Sequence, residues 1–209
     1  MMKNEATRMR AATWVVLLAG LSLLAGCQGK QSQVSLSDAY AAYDRGDYRS
    51  SYQMARMVAG SGKANHEAAY LAGLSAYRLQ TYPMAARYLS VATGSPQNKL
   101  AGDAYASLGM TYASMGRYAD AGIAYEQAAK RLSGQDQANA YYYSAIEFQK
   151  QGRWSQARSN LVLARAASND ENFKRQATEL MAATGFTLQT GFFTVRDNAQ
   201  RAAEQVGYL

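Results

Sequence analysis

The sequence predicts an all-α fold built by repeating pairs of helices, and three observations carry that expectation. A glycine- or polar-plus-aromatic turn recurs at Gly46-Asp47-Tyr48, Gln80-Thr81-Tyr82, Gly116-Arg117-Tyr118 and Gly152-Arg153-Trp154, at spacings of 34, 36 and 36 residues. A fixed period of this length is the mark of a stacked repeat. On both sides of each turn, alanine and larger apolar residues recur at helical spacing. Only 2 of the 209 residues are proline, so little interrupts long helices. With 48% hydrophobic and 18% charged residues the chain has the apolar mass for a core, and its length leaves room for one large unit or a modest domain with a fragment beside it.

From the amino end, residues 1–26 run from a basic stretch (Lys3, Arg8, Arg10) through the apolar run AATWVVLLAGLSLL to small residues before the only cysteine, Cys27. This is the build of a secretory signal, since the run falls short of the roughly 20 apolar residues a membrane-spanning helix needs. Leu24-Ala25-Gly26-Cys27 resembles a bacterial lipobox. The resemblance implies cleavage before Cys27, a diacylglyceryl group on its thiol and acylation of the new amino end. Each buried methylene adds about 0.8 kcal/mol of membrane partition, so two or more chains hold a protein at a membrane without spanning it. Gln28, where an Asp would stand in a retained form, implies by the same resemblance the inner leaflet of an outer membrane. Residues 27–34 read as a short polar tether.

Residues 35–184 are the expected repeat domain. In the first unit Ala39 and Ala42 precede the turn, and Ser51, Ala55 and Val58 follow it; the second offers Gly73, then Ala85, Leu89 and Ala92. The third is the clearest, with Tyr105, Leu108, Gly109 and Tyr112 before the turn and Ala121, Tyr125 and Ala128 after it. The fourth has Tyr141, Ala145 and Phe148, then Ala157, Leu161 and Ala164. Small residues let antiparallel helices approach closely while rings fill the gaps between units. The extra residues of the longer spacings fall in loops such as Gly94-Ser95-Pro96, where proline stops a helix and insertion is cheap. A further helix near 171–184, with Phe173, Ala177, Leu180 and Met181 at helical spacing, would cover the last pair.

Over about residues 35–169 these copies resemble the tetratricopeptide repeat (TPR), whose first helix asks for aromatic, Leu, Gly and Tyr and whose second asks for Ala, aromatic and Ala. The resemblance implies a right-handed helical solenoid with its first helices lining a groove. On that pattern the peptide-groove residues are Tyr43, Tyr70, Tyr77 and Tyr142, alongside Tyr40, Leu74, Arg78, Met110 and Ile146. Tyrosines offer contact area at low entropic cost and a hydroxyl for polar backbone, which suits an extended peptide or a partner's helix.

From Gly185 the period changes. FTLQTGFFT at 186–194 reads as a strand bounded by glycine, and Asp197 with Gln200 can cap a helix carrying Ala199, Ala202, Ala203 and Val206 on one face. Phe186, Leu188, Gln189, Gly191, Phe193, Asn198 and Ala199 match in order the opening of the sporulation-related repeat (SPOR) domain, a peptidoglycan-binding βαββαβ module. The resemblance implies glycan binding through Gln189, Gly191 and Phe193, which alternate onto one face of the strand. Phe192 stands where that family has a small residue and Ala202 where it has Leu. Residues 185–209 amount to one strand and one helix of a module of roughly 70 residues, so the expectation is a truncated or vestigial copy.

One Cys and one His leave no disulfide framework, cysteine-built zinc site or multi-histidine centre. His66 reads as a surface or capping residue. No phosphate-cradling glycine loop or nucleophile elbow occurs, and the spacing of Asp136 and Glu147 implies no carboxylate pair. No catalytic residue, metal or cofactor is expected. The net charge of +7 falls to +5 without residues 1–26 and is scattered, a solvated surface rather than a nucleic-acid footprint. The expected protein is a lipid-anchored TPR scaffold on the periplasmic side of a bacterial envelope. It would hold an envelope protein or peptide in its groove and peptidoglycan glycan strands with its tail. The alternative is an assembly lipoprotein for pilus, secretion or outer-membrane protein biogenesis.

Overall fold

The computed structural model describes residues 34–60 and 65–183. Cys27 and its signal lie outside the described residues, as does the 185–209 segment with Gln189, Gly191 and Phe193. The described residues are all-helical, as the sequence predicts. They form α1 (Leu36–Asp44), α2 (Tyr48–Ala59), α3 (His66–Arg78), α4 (Tyr82–Ala92), α5 (Asn98–Ser114), α6 (Tyr118–Ala129), α7 (Gly134–Gln149) and α8 (Trp154–Ala167), and then α9 over 171–183. None of these helices is long and apolar enough to cross a membrane.

The four recurrent turns share one backbone geometry. Gly46, Gly116 and Gly152 take φ of +79°, +72° and +68°, and Gln80 takes +58° at the matching place in the second unit. In each, the left-handed residue donates its N–H to the carbonyl three residues back, and the residue after it donates to the carbonyl five back. Gly46 N donates to Tyr43 O and Asp47 N to Ala42 O; Gly116 N donates to Ala113 O and Arg117 N to Tyr112 O, all at 2.9–3.0 Å. This is the Schellman closure of a helix end, which satisfies carbonyls the helix leaves open and needs a residue free to adopt positive φ. The sequence period and the structural period are therefore one feature.

Helix starts are equally local. Ser35 and Asp38 form a capping box on α1, Asp47 accepts from Ser50 N on α2, and Asn65 accepts from Ala68 N on α3. Pro83 sits in the first turn of α4, where no N–H is missed.

Each helix packs chiefly on its neighbours in sequence, and α1 also meets α3 as α3 meets α5. The α3–α4 pair is antiparallel. His66, at the start of α3, donates through Nδ1 to Val91 O near the end of α4 at 2.9 Å, while Thr81 Oγ1 beside the turn donates to Ala76 O. His66 thus ties a helix pair together at the surface. The interface is built from alanines with no exposure, among them Ala76, Ala85 and Ala92. Where the approach is closest the first helix carries glycine: a Cβ on Gly73 would sit 2.6 Å from Leu89 Cγ, and one on Gly109 would sit 3.0 Å from three carbons of the Tyr125 ring. At the carboxyl side Phe173 packs on Ala138 and Ala164, and Ala177, Leu180 and Met181 pack against Phe148 and Leu161, so the covering helix is present.

Buried polar groups are matched. Ser51 and Ser75 share a 2.8 Å hydrogen bond between α2 and α3. Asn160 on α8 donates from Nδ2 to Ser144 Oγ on α7 and to Glu126 Oε1 on α6, each at 2.9 Å, and Ser144 Oγ donates to Gly122 O. Such a network fixes the mutual register of three helices, because any slip would leave a buried donor unmet.

Candidate peptide-binding face

The first helices of the pairs, α1, α3, α5 and α7, carry the tyrosines that the sequence singles out, and side chains bridge these helices in succession. Tyr40 Oη donates to Glu67 Oε1 at 3.2 Å and Arg78 Nε donates to Tyr43 Oη at 3.3 Å, both linking α1 to α3. Tyr77 Oη and Ser114 Oγ lie 3.3 Å apart, linking α3 to α5. Lys99 on α5 pairs with Asp103 of its own helix at 2.7 Å and with Asp136 of α7 at 3.2 Å. Tyr43 and Tyr77 therefore take part in the bridges between successive first helices, and Tyr70 hydrogen-bonds Ser107 of α5.

The rings rest on other rings. Tyr43 meets Tyr48 edge-on at 5.2 Å between centroids, and Tyr77 meets Tyr82 at 5.5 Å. Burial and the neighbouring Glu67 carboxylate push the Tyr40 phenol up to about 12. Burial also raises Tyr70, with its hydrogen bond to Ser107 partly offsetting the shift. The Asp103 contact holds the Lys99 ammonium charged by raising its pKa. Raised in this way, the Tyr40 and Tyr70 hydroxyls are phenol donors and acceptors rather than phenolates.

Between α5 and α7 the face opens into a pocket of about 410 Å³. Met110, Leu132, Ala140 and the buried ring of Tyr125 give it apolar walls, Tyr143 stands half exposed at one side, and Asp103 and Asp136 hold its mouth. Its origin lies in the repeat. Ala106 lines it, and the residues 36 positions before and after Ala106 are Tyr70 and Tyr142. Tyr70 reaches Ser107 across the α3–α5 boundary, and Tyr142 reaches Phe173 of α9 with ring centroids 5.5 Å apart. Alanine at the middle copy leaves the corresponding space empty.

Tyr142 thus packs toward α9 as Tyr70 packs toward α5, while its neighbour Tyr143 faces Tyr125 at 5.6 Å and lines the pocket. Sequence reasoning did not single out Tyr143, Lys99 or Asp103. In the run Tyr141-Tyr142-Tyr143 successive rings point about 100° apart, so the fully buried Ala145 and Phe148 fix which ring faces where. Met110, expected alongside the groove, does line the pocket. A second concavity, of about 440 Å³, lies on the second helices between Arg49, Tyr52 and Arg56 of α2 and Met84 of α4.

Among the described residues no three His, Cys, Asp or Glu side chains gather as a metal site. The face presents aromatic surface, hydroxyls and a few charges, the inventory of non-covalent recognition. Compared with known proteins, the chain matches no family model and no curated sequence.

Proposed function

We propose that residues 35–184 form a TPR-type right-handed solenoid that binds an extended peptide or a partner's helix on its first-helix face. The molecule is a binding scaffold rather than an enzyme, held by lipid at Cys27 on the periplasmic side of a bacterial outer membrane. The observation that carries this reading is the joining of four identically closed helix pairs to a tyrosine-bearing face with an open pocket. Residues 185–209 add a SPOR-like contact to peptidoglycan through Gln189, Gly191 and Phe193.

The test is site-specific photocrosslinking in cells, with the reactive side chain at Tyr77 or Tyr143, and at Arg158 of α8 as the contrast. Crosslinks to a discrete partner from the first two positions and not from Arg158 support the reading; equal labelling from all three refutes it. In the same cells Cys27→Ser should move the protein from the membrane to the soluble fraction, and a Cys27→Ser form that stays membrane-bound removes the lipid anchor. Deleting residues 185–209 should reduce co-sedimentation with peptidoglycan sacculi stripped of stem peptides; unchanged pelleting removes the glycan assignment.

A further inference from the structure

The two sets of helices carry opposite charge. Helices α1, α3, α5 and α7 hold six carboxylates against two cations, Arg78 and Lys99, whereas α2, α4, α6 and α8 hold five arginines against two carboxylates. In a chain whose net charge is positive, an acidic first-helix side runs against the average. Glu147 is buried on its own Lys150. Of the other five, Asp38 is taken up in the α1 capping box and Asp44 is exposed at the end of α1, Glu67 and Asp136 end bridges between successive first helices, and Asp103 shares Lys99 with Asp136.

At the pocket the arrangement is specific. One lysine serves two carboxylates on different helices, so the mouth keeps a net negative charge directly beside apolar walls. Lys99 is itself largely exposed, at 67%, and exposed ion pairs contribute little to stability, so its ammonium is readily displaced. The other polar groups around the pocket, Ser107 and Asn139, are neutral. A volume of about 410 Å³ lies within the range of ligand pockets, about 300–1,000 Å³.

We infer that the pocket between α5 and α7 receives a cationic peptide segment: an apolar side chain enters against Met110, Tyr125 and Tyr143, and an adjacent lysine or arginine takes the place between Asp103 and Asp136 that Lys99 fills. The inference rests on the peptide-binding reading above and names its ligand class. Lys99 acts as an internal stand-in for the ligand's cation. An acidic peptide would meet two carboxylates at the same mouth, and like charges in close contact select against a partner.

The experiment uses fluorescence polarisation with three labelled nonapeptide pools: Lys/Arg with Leu/Phe, Asp/Glu with Leu/Phe, and Lys/Arg with Gly/Ser. The first pool should bind best, and its affinity should fall as salt rises from about 50 to about 300 mM. Asp103→Asn with Asp136→Asn should weaken it about tenfold, and Lys99→Ala should strengthen it severalfold, since two carboxylates are then free. Ala106→Tyr, which restores the ring present at the neighbouring copies, should abolish pocket binding while the thermal melt stays at or above that of the parent. Preference for the Asp/Glu pool, or weakening by Lys99→Ala, overturns the inference and leaves the peptide-binding reading standing. Binding of no pool, or binding indifferent to Tyr77→Ala, Tyr143→Ala and Ala106→Tyr alike, overturns the peptide-binding reading with it.

Discussion

Gly73→Ala puts the close packing of α3 on α4 to a quantitative test. The added methyl would lie 2.6 Å from Leu89 Cγ, 2.8 Å from its Cδ2 and 3.1 Å from its backbone nitrogen. Carbon atoms rest at about 3.5–4.0 Å, so the shortfall is about 1 Å. Leu89 is fully buried and cannot swing clear, and its nitrogen belongs to the backbone of α4, so the helix itself must shift. Overpacking of this kind costs about 1–3 kcal/mol, while replacing a mid-helix glycine by alanine returns about 1 kcal/mol. The expected net loss is about 1 kcal/mol, within a range of about 0–2, read as a lower midpoint in urea followed by far-ultraviolet circular dichroism. Leu89→Ala removes the two closest obstructing atoms and leaves only the 3.1 Å approach to the nitrogen, at its own cost of about 2–5 kcal/mol. On that background Gly73→Ala should change sign and stabilise by about 1 kcal/mol, a coupling of about 2 kcal/mol between the sites. A Gly73→Ala that stabilises the parent, or that costs the same with and without Leu89, refutes the packing argument.

Gln80 is the natural counter-test of the turns, because it holds positive φ without being glycine: Gln80→Gly should raise stability by about 1 kcal/mol in thermal melts, and Gly116→Ala should lower it by about as much. Asn160→Ala withdraws the donor that serves both Ser144 and Glu126, and chemical denaturation should show a loss of about 1–3 kcal/mol, where a change below about 0.5 kcal/mol would mean the network is idle. The Tyr40 phenol, raised above its usual 10 to about 12, binds its proton more tightly in the folded protein. Its contribution is therefore intact below about pH 10 and lost as pH climbs through 10 to 12, so Tyr40→Phe should make the alkaline fall in melting temperature shallower; an identical slope would show that Tyr40 is not the group involved.

What the sequence made legible was whatever the backbone dictates locally. The turns announce themselves because a left-handed residue is required at a fixed place, and glycine meets that requirement in three of four units. Gln80 is recognisable only by register, since its own identity argues against positive φ. Gly73, Gly109, Ala85 and Ala121 could be placed between helices because nothing larger fits there. The partners of long side chains were not legible. Lys99 meets Asp136 through the relative placement of α5 and α7, which no local pattern encodes, and the turning of Tyr143 toward the pocket depends on a rotation of α7 set by Ala145 and Phe148.

The pocket is an intermediate case. Positions 70, 106 and 142 are successive copies of one place in the repeat, and the chain writes Tyr, Ala, Tyr there. Repeat architectures bury a continuous core only if every copy fills its share of the boundary, so a missing ring needs compensation or leaves space. Here Leu132 closes against Gly102 at one end, with a Cβ on that glycine falling 2.6 Å from its Cδ2, but nothing replaces the ring at the centre. Tyr125, buried against Gly109, and Tyr143, its ring 5.6 Å from that of Tyr125, border the space. One alanine for tyrosine thus costs the stack some packing and gives it a shaped apolar opening with two carboxylates at the rim. The departure from the repeat, more than the repeat itself, sets where this chain differs from a plain stack of helix pairs and where a ligand would be read.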